Sequence, residues 1–147
     1  MEQVNVKING VSYEVSADST ILEAARYAGI DIPTLCYLKD INQIGACRMC
    51  MVEVKGARSL VAACVYPVND GMEVFTSTPK VQESRKMTLE LLLSVHDRKC
   101  LSCERSGNCE FQKLCNEMGI EVENRFEGSL PAGKKDFSTL YLERNNA

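Results

Sequence analysis

Hydrophobic and polar residues alternate in two short runs at the start of the chain. The apolar positions of these runs are Val4, Val6, Ile8, Val11, Tyr13 and Val15. Alternation with a period of two is typical of a half-buried strand. Asn9-Gly10 lies between the runs, and these residue types tolerate the positive φ that both central residues of a type I′ turn need. The pattern predicts a β-hairpin.

Helical periodicity replaces the alternation after the hairpin. Thr20 and Glu23 have the spacing of a capping box, in which each side chain accepts a hydrogen bond from the other residue's backbone. The stretch ILEAARYA then predicts a short helix, and Gly29 is placed to end it in the left-handed conformation. From Pro33 to Cys50 the periodicity disappears, which predicts a long loop.

Three strand-like segments follow the loop: MVEVKG, SLVAACVYP and MEVFTS. A hairpin, one helix, a long loop and further strands fit an α+β fold of the β-grasp type, a mixed sheet curled over one helix. Thr78-Pro79 has the cap and first-turn proline of a second, longer helix. We expect this helix to end close to His96 and another to lie within CEFQKLCNEMG.

The sequence therefore predicts three segments. Residues 1–78 form a β-grasp domain, residues 79–122 a small helical domain that contains the single histidine and four of the cysteines, and residues 123–147 a polar C-terminal tail. We expect the tail to pack along a partner subunit. Its anchors would be Phe126, Phe137, Leu140 and Tyr141.

Composition and charge narrow the class of protein. The chain of 147 residues is 45% hydrophobic and 25% charged, with a formal net charge of −3. It has no basic stripe for nucleic acid, no apolar run long enough to insert in a membrane and no visible secretory signal. We expect a cytoplasmic protein. In that reducing compartment, eight clustered cysteines indicate metal binding rather than disulfides.

The first cysteine group reads Cys36-x10-Cys47-x2-Cys50-x13-Cys64. Four thiolates can hold a [2Fe–2S] cluster, a [4Fe–4S] cluster or zinc. The long first gap suits a loop wrapped around a cluster better than a zinc knuckle, which pairs two short Cys-x-x-Cys hairpins. Small Gly45 and Ala46 would let backbone N–H groups approach the sulfides. The spacing favours iron–sulfur.

The second group contains the single histidine of the chain and reads His96-x3-Cys100-x2-Cys103-x5-Cys109. Imidazole and thiolate both suit zinc and iron, so the spacing alone leaves the two metals open. Cys115 is left over. We expect it to be a buried, inert thiol on a different helix face from Cys109. The alternative is an all-cysteine cluster that uses Cys115 and leaves His96 idle.

Taken together, GACRMCMVEV, AACVYPVNDGMEV and HDRKCLSCERSGNCEFQKLC resemble the N-terminal portion of one redox family. Its members are [FeFe] hydrogenases, certain NAD-linked formate dehydrogenases and the large iron–sulfur subunit of respiratory complex I. The resemblance covers about residues 1–125. It implies that residues 1–78 are a ferredoxin-like domain, in which one [2Fe–2S] cluster is held by Cys36, Cys47, Cys50 and Cys64. It also implies that residues 79–122 are a His-Cys cluster domain, in which one [4Fe–4S] cluster is held by His96, Cys100, Cys103 and Cys109.

The chain departs from the larger members of that family, since no cysteine follows Cys115. It also has no phosphate-binding glycine loop and no nucleophile-and-base pair. We therefore expect a non-catalytic, single-electron transfer subunit of a cytoplasmic NAD(P)H-linked complex.

Hosts implied by the resemblance are hydrogenases, formate dehydrogenases and ferredoxin-dependent transhydrogenases, including electron-bifurcating ones. Its partners would be a flavin-containing, NAD(P)H-handling subunit and other iron–sulfur subunits. The alternatives are a truncated N-terminal fragment of a full-length hydrogenase and a zinc-stabilised interaction module.

Overall fold

The structure is a computed structural model that describes residues 2–96, 98–120 and 126. The chain divides into two compact units, of which the first is Met1–Thr88 and the second begins at Leu89. The predicted tail of residues 123–147 lies outside the described residues except for Phe126. Its role in contacting a partner stays a prediction.

The first unit begins with the expected hairpin. Strand β1 (Gln3–Ile8) pairs with strand β2 (Val11–Ser16) in antiparallel register, with Val6 opposite Tyr13. Asn9 and Gly10 have φ values of 50° and 89°. These are the positive φ angles that a type I′ turn requires, so the local sequence accounts for the turn.

Helix α1 (Ile21–Tyr27) follows with its capping box formed. The backbone N–H of Glu23 donates to Thr20 Oγ1 over 3.3 Å, and the backbone N–H of Thr20 donates to Glu23 Oε2 over 3.0 Å. Ala28 caps the C-terminus, and Gly29 has a φ of 73°. The buried face of α1 consists of Ile21, Leu22, Ala24 and Ala25.

The sheet is completed by β3 (Met51–Val54), β4 (Val61–Ala62) and β5 (Met72–Phe75). Its strand order is β2-β1-β5-β3-β4. The β1–β5 pair is parallel and the other pairs are antiparallel. The mixed sheet with one helix confirms the predicted α+β class. Within the strand-like segment SLVAACVYP only Val61–Ala62 is a strand, and the chain then turns.

The core of the first unit joins the sheet to α1. Side chains from every strand and from the helix form one buried apolar cluster, which includes Val6, Ile8, Ile21, Leu22, Val52 and Val74. Cys50 and Cys64 belong to the same cluster and are each 1% exposed. Close packing of this kind holds side chains in fixed positions, so two of the predicted ligands are anchored by the core itself.

Helix α2 (Pro79–Ser94) begins where Thr78 and Pro79 predict it, and Thr78 Oγ1 accepts a hydrogen bond from the Val81 N–H. Its buried positions are Val81, Arg85, Leu89 and Glu90, whereas Leu91 is 48% exposed. The predicted domain boundary at residue 78 lies at the start of α2, and the division between units falls inside it. No helix in the described part of the chain is long and apolar enough to cross a membrane.

The second unit contains the end of α2, a 3₁₀ turn (Cys100–Ser102) and helix α3 (Glu110–Glu117). Backbone hydrogen bonds form turns in the loop between the 3₁₀ turn and α3: the Ser106 N–H donates to Cys103 O over 3.0 Å and the Asn108 N–H to Arg105 O over 3.0 Å. Gly107 N–H donates to Gln112 Oε1 over 3.0 Å. The cysteine-bearing loop is thus tied to the first turn of α3.

Candidate metal centres

The loop between α1 and β3 brings Cys36 next to Cys47. The backbone N–H of Cys47 donates to Cys36 Sγ over 3.4 Å, and the Met49 N–H donates to Cys47 Sγ over 3.4 Å. Asn42 Nδ2 supports the start of the loop by donating to Cys36 O over 2.9 Å. Backbone donors aimed at sulfur stabilise thiolates and metal-bound sulfur. The local backbone is arranged for sulfur ligands.

Left-handed backbone conformations allow the loop to turn around the sulfur atoms. Asp40, Gly45 and Arg48 have φ values of 63°, 62° and 57°. A Cβ placed on Gly45 would lie 3.2 Å from Val65 Cγ2, closer than side-chain carbons ordinarily pack. Gly45 therefore has two reasons to be glycine, its φ and the close approach of Val65.

Cys50 and Cys64 form the inner side of the same site. Cys64 lies in the turn after β4, and this turn is held by two N–H groups at the start of α1. The Leu22 N–H donates to Ala63 O over 2.9 Å, and the Ile21 N–H donates to Tyr66 O over 2.9 Å. Cys36 and Cys47 are half-buried, so the site has a surface side and a core side.

The four thiols of this group influence one another's ionisation. Burial raises the pKa of Cys64 to about 12, assisted by a hydrogen bond with Cys50 and by the charges of Cys50, Cys36 and Cys47. Burial also raises the pKa of Cys47, but hydrogen bonds from the Met49 and Leu35 backbone outweigh it, so this pKa lies below its usual value. Metal ligation needs thiolates, so Cys64 releases a proton when it becomes a ligand.

A buried guanidinium lies beside this cysteine group. Arg85 of α2 donates from Nη2 to Met51 O over 2.9 Å, and Met51 directly follows Cys50 in the chain. Burial lowers the pKa of Arg85, while the charges of Cys50 and Asp31 raise it. The guanidinium Nε is buried and has no hydrogen-bond partner among the described residues. A positive charge with an unsatisfied N–H suits a site that holds an anionic group.

In the second unit, all four predicted ligands line one cavity of about 290 Å³. Its wall also contains Cys115, Phe111 and Gln112. Cys100 and Cys103 are exposed, whereas His96, Cys109 and Cys115 are half-buried. Imidazole and thiolates gathered around a cavity form a donor set suited to an iron–sulfur cluster or to zinc.

The position of Cys115 corrects the expectation that it faces away from the other cysteines. Phe111, Gln112 and Cys115 lie on the face of α3 that lines the cavity, because residues three and four apart share a helix face. Cys109 is the N-cap, which places it outside the helical repeat. Burial raises the pKa of Cys115, and the charges of Cys109 and Cys100 add to this rise.

Two contacts orient the donors of the second group. The ring of His96 meets the ring of Phe111 edge to face, with centroids 5.2 Å apart and planes at 81°. Cys109 Sγ accepts a hydrogen bond from the Gln112 N–H over 3.5 Å at the start of α3. The N-cap position of Cys109 thus directs a backbone donor of α3 at this sulfur.

In residues 2–96 and 98–120, no three His, Cys, Asp or Glu side chains converge closely enough to hold one metal ion. The ligands of a cluster bind different iron atoms and need not meet at one point. Both donor sets thus fit a cluster by their chemistry. For the first site, the buried unpaired Nε of Arg85 supports the fit.

Sequence reasoning did not single out Arg85 or Phe111. Arg85 lies four residues from both Val81 and Leu89, so an arginine within an apolar helical stripe was the available signal. For Phe111, nothing in the sequence distinguishes an aromatic ring that contacts His96 from an ordinary packing residue.

Comparison with protein families gives two adjacent matches. Residues 1–79 match the 2Fe-2S iron-sulfur cluster binding domain. Residues 85–123 match the NADH-ubiquinone oxidoreductase-G iron-sulfur binding region. Both matches concern iron–sulfur binding, so the predicted pair of one [2Fe–2S] and one [4Fe–4S] cluster is confirmed over the zinc alternative.

Similar proteins are subunits of larger redox enzymes. The NADP-reducing hydrogenase subunit HndD of Solidesulfovibrio fructosivorans is 42% identical over 97% of this chain and 25% of its own length. The NADH-ubiquinone oxidoreductase 75 kDa subunit of Reclinomonas americana is 44% identical over 80% of this chain and 17% of its own length. The chain therefore spans a quarter or less of these relatives.

A solved structure has a similar fold. It is a chain in the crystal structure of an NAD⁺-reducing [NiFe]-hydrogenase in the H₂-reduced state, with a TM-score of 0.81 and 30% sequence identity. The alignment covers 89% of this chain and 55% of that chain. From the family match over residues 1–79, the described fold and the second iron–sulfur region, the chain belongs to the 2Fe-2S iron-sulfur cluster binding domain family and is an iron–sulfur electron-transfer domain that carries one [2Fe–2S] and one [4Fe–4S] cluster.

Proposed function

We propose that this chain relays single electrons inside a cytoplasmic, multisubunit NAD(P)H-linked oxidoreductase. Cys36, Cys47, Cys50 and Cys64 would hold the [2Fe–2S] cluster, and His96, Cys100, Cys103 and Cys109 the [4Fe–4S] cluster. The observation that carries the proposal is the gathering of two complete donor sets, one around the first loop and one around the cavity beside α3. Each cluster, when bound, accepts and releases one electron at a time.

The protein residues give the two sites different surroundings. Cys50 and Cys64 are buried in the first core and limit access of water, while Cys36 and Cys47 face the surface. Cys100 and Cys103 are exposed at the second site. Exposed sulfur ligands leave a path for electrons to enter or leave through a docked redox partner, and buried ones protect the sulfides.

The proposed partners are a flavin-containing subunit that handles NAD(P)H and other iron–sulfur subunits. NAD(P)H delivers electrons in pairs, so a flavin is needed to split the pair into single electrons. Support comes from the relatives, whose names describe subunits of an NADP-reducing hydrogenase and of an NADH-ubiquinone oxidoreductase. Hydrogenase, formate dehydrogenase and ferredoxin-dependent transhydrogenase complexes, including bifurcating ones, are the proposed hosts.

A second role is favoured by one observation. The alignment with HndD spans 97% of this chain and 25% of that subunit, so the same residues would also serve as the N-terminal electron-entry part of a longer hydrogenase-type subunit. Both roles assign the same electron transfer to the same donors.

Metal analysis and electron transfer test the proposal together. Anaerobically purified chain should contain about six iron and six sulfide, the sum expected of one [2Fe–2S] and one [4Fe–4S] cluster. Reduction should give two distinct EPR signals. The chain alone should not oxidise NADH or NADPH, and a flavin subunit co-purified from the native source should restore reduction of both clusters. Stoichiometric zinc without sulfide, or NADPH oxidation by the chain alone, would contradict the proposal.

A further inference from the structure

Arg85 carries a buried charge that forms no ion pair with the residues that the structure describes. It is 5% exposed, and its Nη2 donates to Met51 O, while its Nε has no partner within residues 2–96 and 98–120. None of the ion pairs in the described part of the chain includes Arg85. A guanidinium is almost never fully buried unless it is paired, because removing a charge from water is energetically unfavourable.

Two groups interact electrostatically with Arg85, and one of them is buried while the other is exposed. Asp31 is exposed to solvent, where water screens its carboxylate. Cys50 is buried at the first cysteine site, and its neighbour Met51 accepts the hydrogen bond that fixes the guanidinium. The charge that compensates Arg85 therefore belongs at this site rather than at the surface.

We propose that Arg85 is the counter-charge of the [2Fe–2S] cluster and makes the reduction potential of that cluster higher than it would be without the charge. The inference rests on the proposed ligand set of Cys36, Cys47, Cys50 and Cys64. Four thiolates outweigh the two positive charges of the oxidised core, so the loaded site is anionic. Reduction adds one electron and makes the site more negative. A neighbouring positive charge in a low-dielectric interior stabilises the reduced form more than the oxidised form.

The reduction balances without proton transfer. A chemical reductant such as dithionite, or a reduced partner, supplies one electron to the cluster, and Arg85 keeps its proton throughout because guanidinium does not deprotonate in proteins. Arg85 thus acts on the cluster through the electric field of its charge. Its hydrogen bond to Met51 O fixes the position of that charge.

The test compares two positive charges on the same helix. Lys86 follows Arg85 directly and is exposed, so K86M removes an equal charge where water screens it. R85M and R85Q neutralise the buried charge, and R85K retains it. EPR-monitored redox titration of the anaerobic full chain measures the binuclear cluster, and the tetranuclear cluster serves as an internal reference.

We expect R85M and R85Q to lower the ratio of reduced to oxidised binuclear cluster at a fixed potential by about tenfold, which is about 59 mV for one electron. R85K and K86M should stay within about twofold of wild type, as expected when a screened surface charge is removed or a buried one is kept. The tetranuclear signal should not shift in any of the variants.

Other results would overturn the inference. The inference is wrong if R85M and R85Q both keep the wild-type ratio of reduced to oxidised binuclear cluster. It is also wrong if K86M lowers this ratio as much as R85M and R85Q do. If neither neutral variant assembles the binuclear cluster, assembly in R85K still supports a role for the charge. Loss of the cluster in R85K as well would overturn the inference, because a positive charge at position 85 would then not be sufficient. A wild-type chain without any binuclear signal would refute the proposed function instead, which keeps the two failures distinct.

Discussion

The backbone N–H of Cys47 donates to Sγ of Cys36 across 3.4 Å, so a backbone donor and a sulfur atom eleven residues apart meet directly. The contact closes the long loop between α1 and β3 on itself. The same loop carries Cys50 into the core just before β3. Ligand placement and folding of the first unit are consequently coupled, since the groups that would bind the cluster also connect the loop to the sheet.

Replacing Cys47 or Cys50 by serine is therefore expected to damage the binuclear cluster and to destabilise the first unit. Metal-site ligation contributes folding free energy, so the thermal midpoint should fall by about 10 °C or more, the shift that a loss of roughly 2 kcal/mol causes in a small domain. Absorption spectra and calorimetry of anaerobic protein measure the two effects. Cys115→Ser is the control, and an equal loss of the binuclear cluster in that variant would contradict the assignment.

Gly45→Ala is expected to destabilise the first unit more than Gly56→Ala. Both glycines have positive φ, 62° and 85°, but only Gly45 has Val65 within 3.2 Å of the position of a new Cβ. Each substitution carries a left-handed backbone cost of about 1–2 kcal/mol, and Gly45→Ala adds the clash. Denaturant unfolding provides the comparison.

The double variant Gly45→Ala/Val65→Ala tests the cause of the difference. Removing the valine methyl groups should recover the excess cost of Gly45→Ala over Gly56→Ala, because the clashing atoms are Val65 Cγ1 and Cγ2. If the double variant is no more stable than Gly45→Ala, the close approach of Val65 is not what requires glycine at this position.

His96→Ala is expected to remove or convert the tetranuclear cluster and leave the binuclear EPR signal intact. His96 lines the cavity with Cys100, Cys103 and Cys109, and Phe111 orients its ring. Cys115→Ser should change neither cluster. An exchange of these two outcomes would favour the all-cysteine ligand set in place of the histidine.

The double variant His96→Ala/Cys115→Ser tests whether Cys115, which lines the same cavity, can replace His96 as a ligand. If His96→Ala retains a converted cluster, the double variant should lose it, because the spare thiolate of the cavity wall is gone. Iron content together with EPR line shape reports the result. Equal spectra of the single and double variants would show that Cys115 does not replace the histidine.

Thr20→Ala is expected to loosen the turn that carries Cys64. Loss of a threonine cap costs about 1 kcal/mol, and the helix start that it stabilises donates the Ile21 and Leu22 N–H groups to Tyr66 O and Ala63 O. Hydrogen exchange of the Leu22 amide should accelerate. Thr20→Ser keeps the hydroxyl and should remain near wild type, whereas equal acceleration in both variants would assign the effect to the lost methyl group.

Local sequence determined the elements whose signals act over a few residues. The Asn9-Gly10 turn, the capping box of Thr20 and Glu23, and the Thr78-Pro79 helix start all appear in the structure as the sequence indicated. Each depends on backbone φ or on hydrogen bonds between residues three or fewer positions apart, so no distant contact is required. The cysteine spacings, with the family resemblance, similarly indicated the two clusters.

Only the tertiary structure decided features that depend on distant packing. Strand β4 stops at Ala62 because the chain turns there to meet the N–H groups of α1, which leaves Cys64 in a turn. Cys115 lines the cavity because its helix begins after Cys109, an offset that spacing alone did not reveal. Arg85 is buried against Met51, thirty-four positions away. Burial and the partners of a charge follow from how elements pack, and a linear pattern does not contain that information.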